Sequence, residues 1–600
     1  MLFGGEAIFG SLNFSGAGRA AGCQADLLLR RARRSASEAR SQTFGPAVFG
    51  SLKRNSNAAQ APTVYESGGV YALAMGEIYD HTQEAAALQL DPERSGFLAE
   101  GYRSEGAEFL QRLDGTFGAV LWDAHEDEFF LLCDPRADAH LYYRLDANGL
   151  VFSSFLGLLV ENAAEIDLQA VYEFLRFLYI APPRTIYRGI SRLEPGHYLR
   201  IRRGDARTET LGSNRRESHG AVSSGQAGEI LEKFDQLFRN AVRKRLGGRR
   251  VGVFLSSGVD SATLTAVCQN VNPGAVEAFT VGFDNAALDE AQTAKSLARH
   301  IGVPHTELRF ELKDYRRAFD LMSKGFDQPF GDPAGLPLIL ACEAVHERVD
   351  VISGGVGGDD LFSAPVPRHL WFSTTVSARL PRFCRKRVAE ALKRLRFEEV
   401  ARYASLFDFD DVEELFVTWS GWSRRELEEL AGKPISLAES GFYRAFRAQQ
   451  MKGAQALYDA LAFFPPDDCR FEAAALVDAP VELPYHDASL NAYVRGLPTR
   501  YRFSDGATKI LLRQLFSRYF PDRLLADKKH YFNIPLQALL AHSDYELVHE
   551  FLGQNAVRRA GLVDVRDVQP WVDRFLAGDE KLRFKVWALV VLHAWALSKN

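Results

Sequence analysis

The chain has 600 residues, of which 46% are hydrophobic and 25% are charged, and its formal net charge is -5. A chain of this length exceeds one ordinary hydrophobic core, so it predicts more than one domain. The slightly acidic balance gives no reason to expect nucleic acid as a partner.

The cysteines and the apolar runs indicate a cytoplasmic protein. The six cysteines form neither a C-x-x-C pair nor a zinc-ligand spacing, which favours free thiols in a reducing compartment. The N-terminus lacks a charged leader followed by a long apolar run, so no signal peptide is predicted. The longest apolar run, Val586–Leu597, contains His593 and is too short to span a bilayer, and it predicts a buried helix instead.

The N-terminal part, residues 1–203, is rich in short strands and turns. Apolar stretches broken by Gly, Asp and Asn predict strands at Val70–Met75, Gly118–Trp122, Phe129–Cys133 and Leu150–Ser153. Residues 204–228 are polar and rich in Gly and Ser, which predicts a linker. Residues 229–600 are expected to form the second domain.

The second domain begins with alternating helices and strands. The apolar spacing predicts helix Glu229–Leu246, strand Val251–Leu255, helix Ala262–Gln269, strand Ala278–Phe283, helix Asp289–Ile301 and strand Val349–Ser353. This alternation predicts a doubly wound parallel sheet, and such sheets bind ligands at the carboxyl ends of their strands.

The loop after strand Val251–Leu255 reads Ser256-Ser257-Gly258-Val259-Asp260-Ser261. Small residues let backbone N–H groups approach a phosphate, and the helix that follows adds a positive partial charge. Asp260 could hold magnesium beside such phosphates. The loop resembles the S-G-G-x-D-S pyrophosphate loop of the ATP pyrophosphatases, with Ser257 in place of a glycine. The alternative is a strand–turn–helix without a ligand.

Motifs in the N-terminal part resemble the class II glutamine amidotransferase domain. Gly76–Asp80 resembles N-G-E-I-Y-N, Leu113–Gly118 resembles L-D-G-x-F-A, Cys133–Tyr143 resembles R-D-x-x-G-x-x-P-L-Y-Y, and Pro183–Ile190 and Leu193–Tyr198 match its exit segment. With the pyrophosphate loop, they resemble the asparagine synthetase family over most of the chain. The resemblance implies an α/β fold, with an N-terminal Ntn-hydrolase-like αββα domain and a doubly wound parallel-sheet ATP-pyrophosphatase domain that carries a helical extension.

The departures from the glutaminase motifs predict a domain without glutaminase activity. A glutaminase of this class needs a cysteine directly after the initiator Met, because its thiolate attacks the glutamine amide. Leu2 stands at that place. The motif Asn, Arg, Gly and Pro are replaced by Met75, Cys133, Ala137 and His140. We therefore expect the domain to be retained as a scaffold.

A glycine-rich loop follows strand Val349–Ser353. Gly354–Phe362 resembles S-G-[DE]-G-G-D-E-L-F, which implies ATP and Mg²⁺ as cofactors and Asp359 as a second magnesium carboxylate facing Asp260. The alternative is a glycine-rich turn with solvated acids. Val356 replaces an acid or a tyrosine, so the general base for the amine is not identified. The resemblance implies ATP contacts at Leu255, Ser256, Ser257, Gly258, Val259, Asp260, Ser261, Val281, Gly354 and Gly355.

The C-terminal part carries two lysine motifs. Lys509–Arg513 resembles K-x-x-L-R, and Lys529, Phe532 and Pro535 resemble K-x-x-F-x-x-P. The resemblance implies that Lys529 is the catalytic lysine, whose ammonium stabilises the negative charge that develops as pyrophosphate leaves. The alternative is a surface lysine. Glu482 replaces a family arginine, which indicates a rebuilt acceptor pocket.

The resemblance implies ATP-dependent amide formation through an acyl-adenylate. Because no ammonia is expected on site, the amine is expected to belong to the substrate. Family members with this loss are mainly ring-closing enzymes. We favour a lasso peptide cyclase, which joins a peptide N-terminal amine to an Asp or Glu side chain and implies a ribosomal precursor peptide and a leader peptidase as partners. The alternatives are a β-lactam synthetase-like enzyme, an ammonia-dependent asparagine synthetase and a non-catalytic scaffold.

Overall fold

The computed structural model describes residues 6–14, 28–30, 32, 37–53, 61–79, 93–136, 138–161, 165–211, 227–282, 290–394, 402–409, 412–416, 420–437, 439–450, 453–460, 473–504, 506–524 and 534–599. None of the helices in the described ranges combines the length and the apolar composition of a membrane span.

The N-terminal part folds into two antiparallel sheets. One has the strand order β10-β8-β9-β1-β3-β2 and the other has the order β12-β11-β7-β6-β5-β4. The predicted strands are present as β5, β6, β7 and β9. The strands are β1 (Glu6–Asn13), β2 (Glu38–Phe44), β3 (Ala47–Lys53), β4 (Tyr65–Ser67), β5 (Val70–Ile78), β6 (Gly115–Asp123), β7 (Glu128–Cys133), β8 (Tyr142–Asp146), β9 (Gly149–Ser153), β10 (Ser191–Arg192), β11 (His197–Arg202) and β12 (Asp205–Thr210).

The two sheets pack face to face between helices. Their inner faces share one apolar core that includes Phe49, Val120 and Phe152. Helices α1 (Arg94–Glu105) and α2 (Ala107–Leu110) cover the outer face of the second sheet. Helix α4 (Leu168–Phe177), which follows the short α3 (Leu156–Leu159), packs on the outer face of the first sheet. The predicted αββα architecture is confirmed.

The second part contains a parallel sheet in the order β15-β14-β13-β16. Helices lie between its strands in the chain, which confirms the predicted doubly wound sheet. The elements are α5 (Ala227–Leu246), β13 (Val251–Phe254), α6 (Val259–Val271), β14 (Val276–Gly282), α7 (Ala291–His300), β15 (His305–Arg309), α8 (Leu312–Gly325), α9 (Gly335–Val345) and β16 (Val351–Gly354).

Helix α6 begins three residues before the predicted start at Ala262. Gly258 is its N-cap residue with an extended backbone, and the Ala262 N–H donates to the Gly258 carbonyl oxygen at 3.1 Å. Asp260 and Ser261 therefore lie in the first helical turn. A helical turn fixes the direction of both side chains more closely than a loop would.

A helical extension follows the parallel sheet. Near its C-terminal end, a short hairpin pairs β17 (Phe503–Ser504) with β18 (Ala507–Thr508). The helices are α10 (Gly358–Phe362), α11 (Arg368–Thr375), α12 (Arg382–Lys393), α13 (Arg424–Ala431), α14 (Gly441–Gln450), α15 (Ala454–Ala460), α16 (Ala488–Gly496), α17 (Thr499–Arg502), α18 (Ile510–Tyr519), α19 (Leu536–Leu552), α20 (Gln554–Ala560), α21 (Val565–Leu576) and α22 (Arg583–Lys599).

The terminal apolar run forms α22, which is a buried helix as predicted. Its Trp587 side chain is fully buried and donates from Nε1 to the Gly331 carbonyl oxygen at 2.7 Å. His593 is fully buried as well, and burial lowers its pKa from 6.5 to about 4. The helix packs in the same core as α4 and the first sheet, so it joins the extension to the N-terminal part.

The segment predicted as a linker contains ordered structure at both ends. Strand β12 pairs with β11 along its whole length, and α5 begins at Ala227. Residues 212–226 lie outside the described residues. The second sheet thus continues past the boundary expected at residue 203, and the division into domains stays a prediction.

Candidate functional site

The two small-residue loops meet at the carboxyl edge of the parallel sheet. Strand β13 pairs with β14 on one side and with β16 on the other, so the chain order reverses beside β13. Phe254 and Gly354, which end β13 and β16, are paired residues. A crevice forms at such a reversal, and ligands of doubly wound sheets bind there.

Glycine at position 355 permits close contact between the two loops. A Cβ atom on Gly355 would lie 2.6 Å from the backbone nitrogen of Ser261 and 3.0 Å from Asp260 Cβ. Any side chain there would push the second loop away from the first turn of α6. The spacing of the candidate site therefore depends on this glycine.

Hydroxyl groups fix the first loop. Ser261 Oγ accepts from the Ser256 N–H at 3.0 Å, and Ser256 Oγ accepts from the Gly258 N–H at 3.2 Å. The Ser257 N–H donates to Glu290 Oε2 at 2.8 Å. A carboxylate therefore already lies at the mouth of this loop, where an anionic oxygen is favoured by the N-terminus of α6. The sequence analysis predicts Glu290 within helix Asp289–Ile301 and does not predict its contact with the Ser257 N–H.

Lys509 links the two predicted magnesium carboxylates. Its Nζ lies 2.7 Å from Asp359 Oδ1 and also contacts Asp260 Oδ2. Lys509 and Asp260 are buried, whereas the Asp359 side chain is exposed. Lys509 has a φ of 57° and directly precedes α18. The structure thus brings Asp260 and Asp359 together around one cation.

Tyr485 contacts the first turn of α6 and the Phe238 side chain of α5. Its hydroxyl donates to the Asp260 carbonyl oxygen at 2.9 Å, and its ring lies 4.8 Å from the Phe238 ring. The burial of Tyr485 raises its pKa well above the ordinary value, so the hydroxyl stays protonated and remains a donor. Helix α5 and the Tyr485 segment therefore hold Asp260 in place.

The predicted nucleotide contacts lie along neighbouring strand ends. Leu255 follows β13, Val281 is near the end of β14, and Gly354 ends β16. The Leu255 N–H donates to the Phe279 carbonyl oxygen at 2.8 Å, and Thr280 Oγ1 donates to the Leu255 carbonyl oxygen at 2.7 Å. These hydrogen bonds join the ends of β13 and β14. Contact of Leu255, Val281 and Gly354 with ATP stays a prediction.

Three of the replaced glutaminase positions, Met75, Cys133 and His140, are described and buried, whereas Leu2 and Ala137 lie outside the described residues. Met75 is fully buried, and a Cβ on Gly118 would lie 2.7 Å from its terminal methyl group. The Cys133 thiol donates to the Glu194 carbonyl oxygen at 3.4 Å, and burial raises its pKa. His140 is buried and its Nδ1 lies 3.1 Å from the Tyr142 hydroxyl. These side chains pack inside the domain.

Residues 233–597 match the family model described as asparagine synthase, and residues 51–211 match the model described as a glutamine amidotransferase domain. The chain belongs to the asparagine synthase family. It is an ATP-dependent carbon–nitrogen ligase and uses ATP with Mg²⁺.

Relatives of this asparagine synthase-family ligase carry several names. A "Putative asparagine synthetase [glutamine-hydrolyzing]" of Mycobacterium tuberculosis is 25% identical over 556 residues, 87% of this chain and 83% of the relative. "Asparagine synthetase [glutamine-hydrolyzing] 1" of Bacillus subtilis is 26% identical over 50% of this chain and 48% of its own. "Amidase chyE" of Penicillium rubens is 26% identical over 56% of this chain and 54% of its own.

Among solved structures, a Bacillus subtilis glutamine phosphoribosylpyrophosphate amidotransferase in complex with ADP and GMP aligns at a TM-score of 0.25. It has 11% identity and covers 59% of this chain and 77% of its own.

The residues of this ligase fit a magnesium–nucleotide complex. The ammonium of Lys509 contacts both Asp260 and Asp359, so one cation can be shared by the two carboxylates. Two carboxylates suit Mg²⁺, which keeps its remaining ligands as water and phosphate oxygens. Bound Mg²⁺ would neutralise phosphate charge as pyrophosphate leaves.

Lys529, the predicted catalytic lysine, lies outside the described residues. Its role stays a prediction. The K-x-x-L-R motif contains Lys509 but does not predict its contacts with Asp260 and Asp359. The motif itself could have indicated a role for Lys509. A lysine at the start of a helix, directly after a glycine-containing turn, has its charge held in one place.

Glu482, which the resemblance places where the family has an arginine, lies in a buried network between the two parts of the ligase. The Tyr79 hydroxyl donates to Glu482 Oε2 at 2.6 Å, and Arg245 Nη1 lies 3.5 Å from the same oxygen. Burial raises the pKa of Glu482, and Arg245 opposes this shift.

Val356 packs beside Leu483, where it offers no group that can move a proton.

Proposed function

We propose that this ligase closes an internal amide in a peptide by joining its N-terminal amine to an Asp or Glu side chain, as lasso peptide cyclases do. The observation that carries the proposal is the pairing of two different halves. The synthetase loops bring Asp260, Asp359 and Lys509 together, while the glutaminase-like domain has Met75, Cys133 and His140 packed where its motif residues would be.

The proposed reaction has two steps. A carboxylate oxygen of the peptide attacks the α-phosphorus of ATP, and the bond to the β-phosphate oxygen breaks, so pyrophosphate leaves. The peptide amine then attacks the acyl carbon and loses a proton, and AMP leaves with the former carboxylate oxygen. The net change in the peptide is the loss of one water. The activation is needed because a carboxylate oxygen is a poor leaving group.

The residues of the chain act on charge and position. The Lys509 ammonium, beside the two carboxylates, is placed to stabilise phosphate charge that increases as pyrophosphate leaves. The Ser257 N–H, which now donates to Glu290, is the donor that we assign to a phosphate oxygen. The acyl-adenylate and the amine belong to one peptide, and holding them at reacting distance raises the effective concentration of the amine in the second step.

A ring-closing ligase of this kind would act with two partners. The substrate would be a ribosomally made precursor peptide, and a leader peptidase would expose its N-terminal amine. Both partners are implied by the resemblance to lasso peptide cyclases, and a peptidase agrees with the reaction because the amine must be free before it attacks.

An ammonia-dependent asparagine synthetase is the second candidate. The Mycobacterium tuberculosis and Bacillus subtilis relatives are named asparagine synthetases that hydrolyse glutamine, which favours asparagine as a product, and free ammonia would replace glutamine here. A β-lactam synthetase-like reaction on a small amino acid is the other member of this group. Both share the adenylation step and differ in the amine.

The test is an intact-mass spectrum of the trimmed peptide after co-expression of the ligase with the precursor and peptidase genes. The proposal predicts the loss of one water with the wild-type chain and none with Asp260→Ala. If the trimmed peptide has the same, unchanged mass with the wild-type ligase and with Asp260→Ala, the proposed ring closure is wrong. A pyrophosphate-release assay with aspartate and ammonia would then distinguish the second candidate.

A further inference from the structure

A loop of the glutaminase-like domain contacts the glycine-rich loop of the synthetase domain. We name the described residues of 134–140 the interface loop and residues 354–362 the magnesium loop. The interface loop follows β7, and the magnesium loop follows β16 and includes α10. The proposed adenylation assigns no role to the interface loop.

Asp134 holds the interface loop in one shape. Its side chain is almost fully buried, and its carboxylate accepts from the backbone N–H groups of Arg136 at 3.0 Å, Asp138 at 3.2 Å and Ala139 at 2.8 Å. A loop that is folded around one buried carboxylate presents its other side chains in fixed directions.

Arg136 reaches the residue next to the predicted magnesium ligand. Its Nη2 lies 3.5 Å from Asp360 Oδ2, and Asp360 directly follows Asp359 in α10. The Asp360 carbonyl oxygen also accepts from Arg495 Nη2 at 3.3 Å. The Arg136 and Asp360 side chains are 15% and 24% exposed, so their ion pair is partly shielded from water. These contacts fix the C-terminal side of Asp359.

Asp138 acts on the other side of Asp359 through His486. Asp138 Oδ2 lies 3.2 Å from His486 Nδ1, and only 1% of the His486 side chain is exposed. The imidazole lies against Gly357, since a Cβ there would be 2.7 Å from His486 Cδ2. Gly357 has a φ of 85° and is the N-cap residue of α10. His486 thus limits how far this turn can move.

We propose that Arg136 and Asp138 are positioning residues that hold Asp359 at the nucleotide site. This inference rests on the proposed site, in which Asp359 is a magnesium ligand. It gives the glutaminase-like domain a role that does not need glutamine. The domain supplies two supports, one on each side of Asp359, and the magnesium loop keeps its geometry only while both are in place.

The test measures binding of α,β-methylene-ATP to the full chain by calorimetry over a series of Mg²⁺ concentrations. Arg136→Ala and Asp138→Ala are each expected to weaken the Mg²⁺-dependent part of binding by about 10-fold or more, the range typical of groups that orient metal ligands. Binding in the presence of a chelator is expected to remain that of the wild-type chain.

Two further variants make the test specific. Arg144→Ala removes an ion pair with Glu161 at 2.7 Å in the same domain, far along the chain from the magnesium loop, and is expected to change nothing. Arg136→Asp combined with Asp360→Arg exchanges the charges of the pair and is expected to restore Mg²⁺ dependence toward that of the wild-type chain.

The outcomes separate this inference from the proposed function. Wild-type binding that depends on Mg²⁺, with equal dependence in Arg136→Ala and Asp138→Ala, would overturn the positioning role alone. A lower thermal midpoint with unchanged Mg²⁺ dependence would show a structural role only and would also overturn it. Wild-type binding that does not respond to Mg²⁺ would overturn the proposed site together with the inference.

Discussion

Lys509 Nζ lies 2.7 Å from Asp359 Oδ1 while it also contacts Asp260, so three residues that are far apart in the chain share one charge centre. The two acids follow different strands, and the lysine precedes α18. A fixed ammonium beside two carboxylates keeps the acids close together before a nucleotide binds. The same ammonium would stabilise the phosphate charge of a nucleotide bound at this edge of the sheet.

Replacement of Lys509 is expected to remove a large part of the catalysis. Lys509→Ala should lower the rate of pyrophosphate release about 100-fold or more, because one preorganised cation at developing negative charge has that order of effect. Lys313→Ala is the matched control, since Lys313 is exposed and pairs with Glu311 on the surface. Equal rates for Lys509→Ala and the wild-type chain would contradict the role assigned to Lys509.

Addition of one methyl group at Gly355 is expected to abolish nucleotide binding. The new Cβ would lie 2.6 Å from the Ser261 backbone nitrogen, so the two loops must separate. Gly228→Ala is the control, because a Cβ at Gly228 meets nothing within 4 Å. The measurement is the affinity for α,β-methylene-ATP by calorimetry, and wild-type affinity in Gly355→Ala would refute the close approach of the loops.

The buried pair of Arg245 and Glu482 is expected to show strong coupling. Glu482→Met leaves a buried arginine without its carboxylate and should destabilise the chain by about 3–5 kcal/mol, whereas replacement of both residues by Met should cost much less. Thr116 would remain a partner of the Tyr79 hydroxyl, at 2.9 Å. Scanning calorimetry of the two single variants and the double variant measures this. Additive losses would be inconsistent with a direct pair.

His593 is expected to make the stability depend on pH. Its pKa is lowered from 6.5 to about 4 in the folded chain, so the unfolded chain binds the proton more readily. The stability from this group is present above pH 6.5 and is lost as the pH falls toward 4. The loss should total about 3 kcal/mol.

The matching measurement compares thermal midpoints at several pH values. His593→Gln should show a shallower decrease than the wild-type chain between pH 6.5 and 4. His369→Gln is the control, because His369 lies on an exposed helix position. Parallel curves for the wild-type chain and His593→Gln would show that His593 does not carry this dependence.

The fold could be predicted from local patterns to a large extent. Strand β13 and the turn at Ser256–Gly258 follow from an apolar run that ends in small residues, and the alternation with helices gives the parallel sheet. The sequence predicts a start of α6 at Ala262, three residues too late, because Val259, Asp260 and Ser261 suit a loop equally well. The hydrogen bond from the Ala262 N–H to the Gly258 carbonyl oxygen places these three residues in the first helical turn.

The site was predictable only where its residues lie in motifs. Asp260 and Asp359 stand in glycine-rich loops after strands, so their meeting follows from the sheet order. The contacts of Lys509, Glu290 and Arg136 join distant parts of the chain, and local spacing does not encode such pairs. Burial has the same property, since it depends on which surfaces meet in the folded chain.

The central claim is that a carboxylate is activated as an acyl-adenylate at the site formed by Asp260, Asp359 and Lys509. The most direct measurement is the mass of the AMP that is released when the reacting carboxylate carries heavy oxygen in both positions. The account predicts that each AMP acquires one heavy oxygen with the wild-type chain, because the carboxylate oxygen attacks the α-phosphorus and leaves with it. Unlabelled AMP, or heavy oxygen in inorganic phosphate beside ADP, would contradict it.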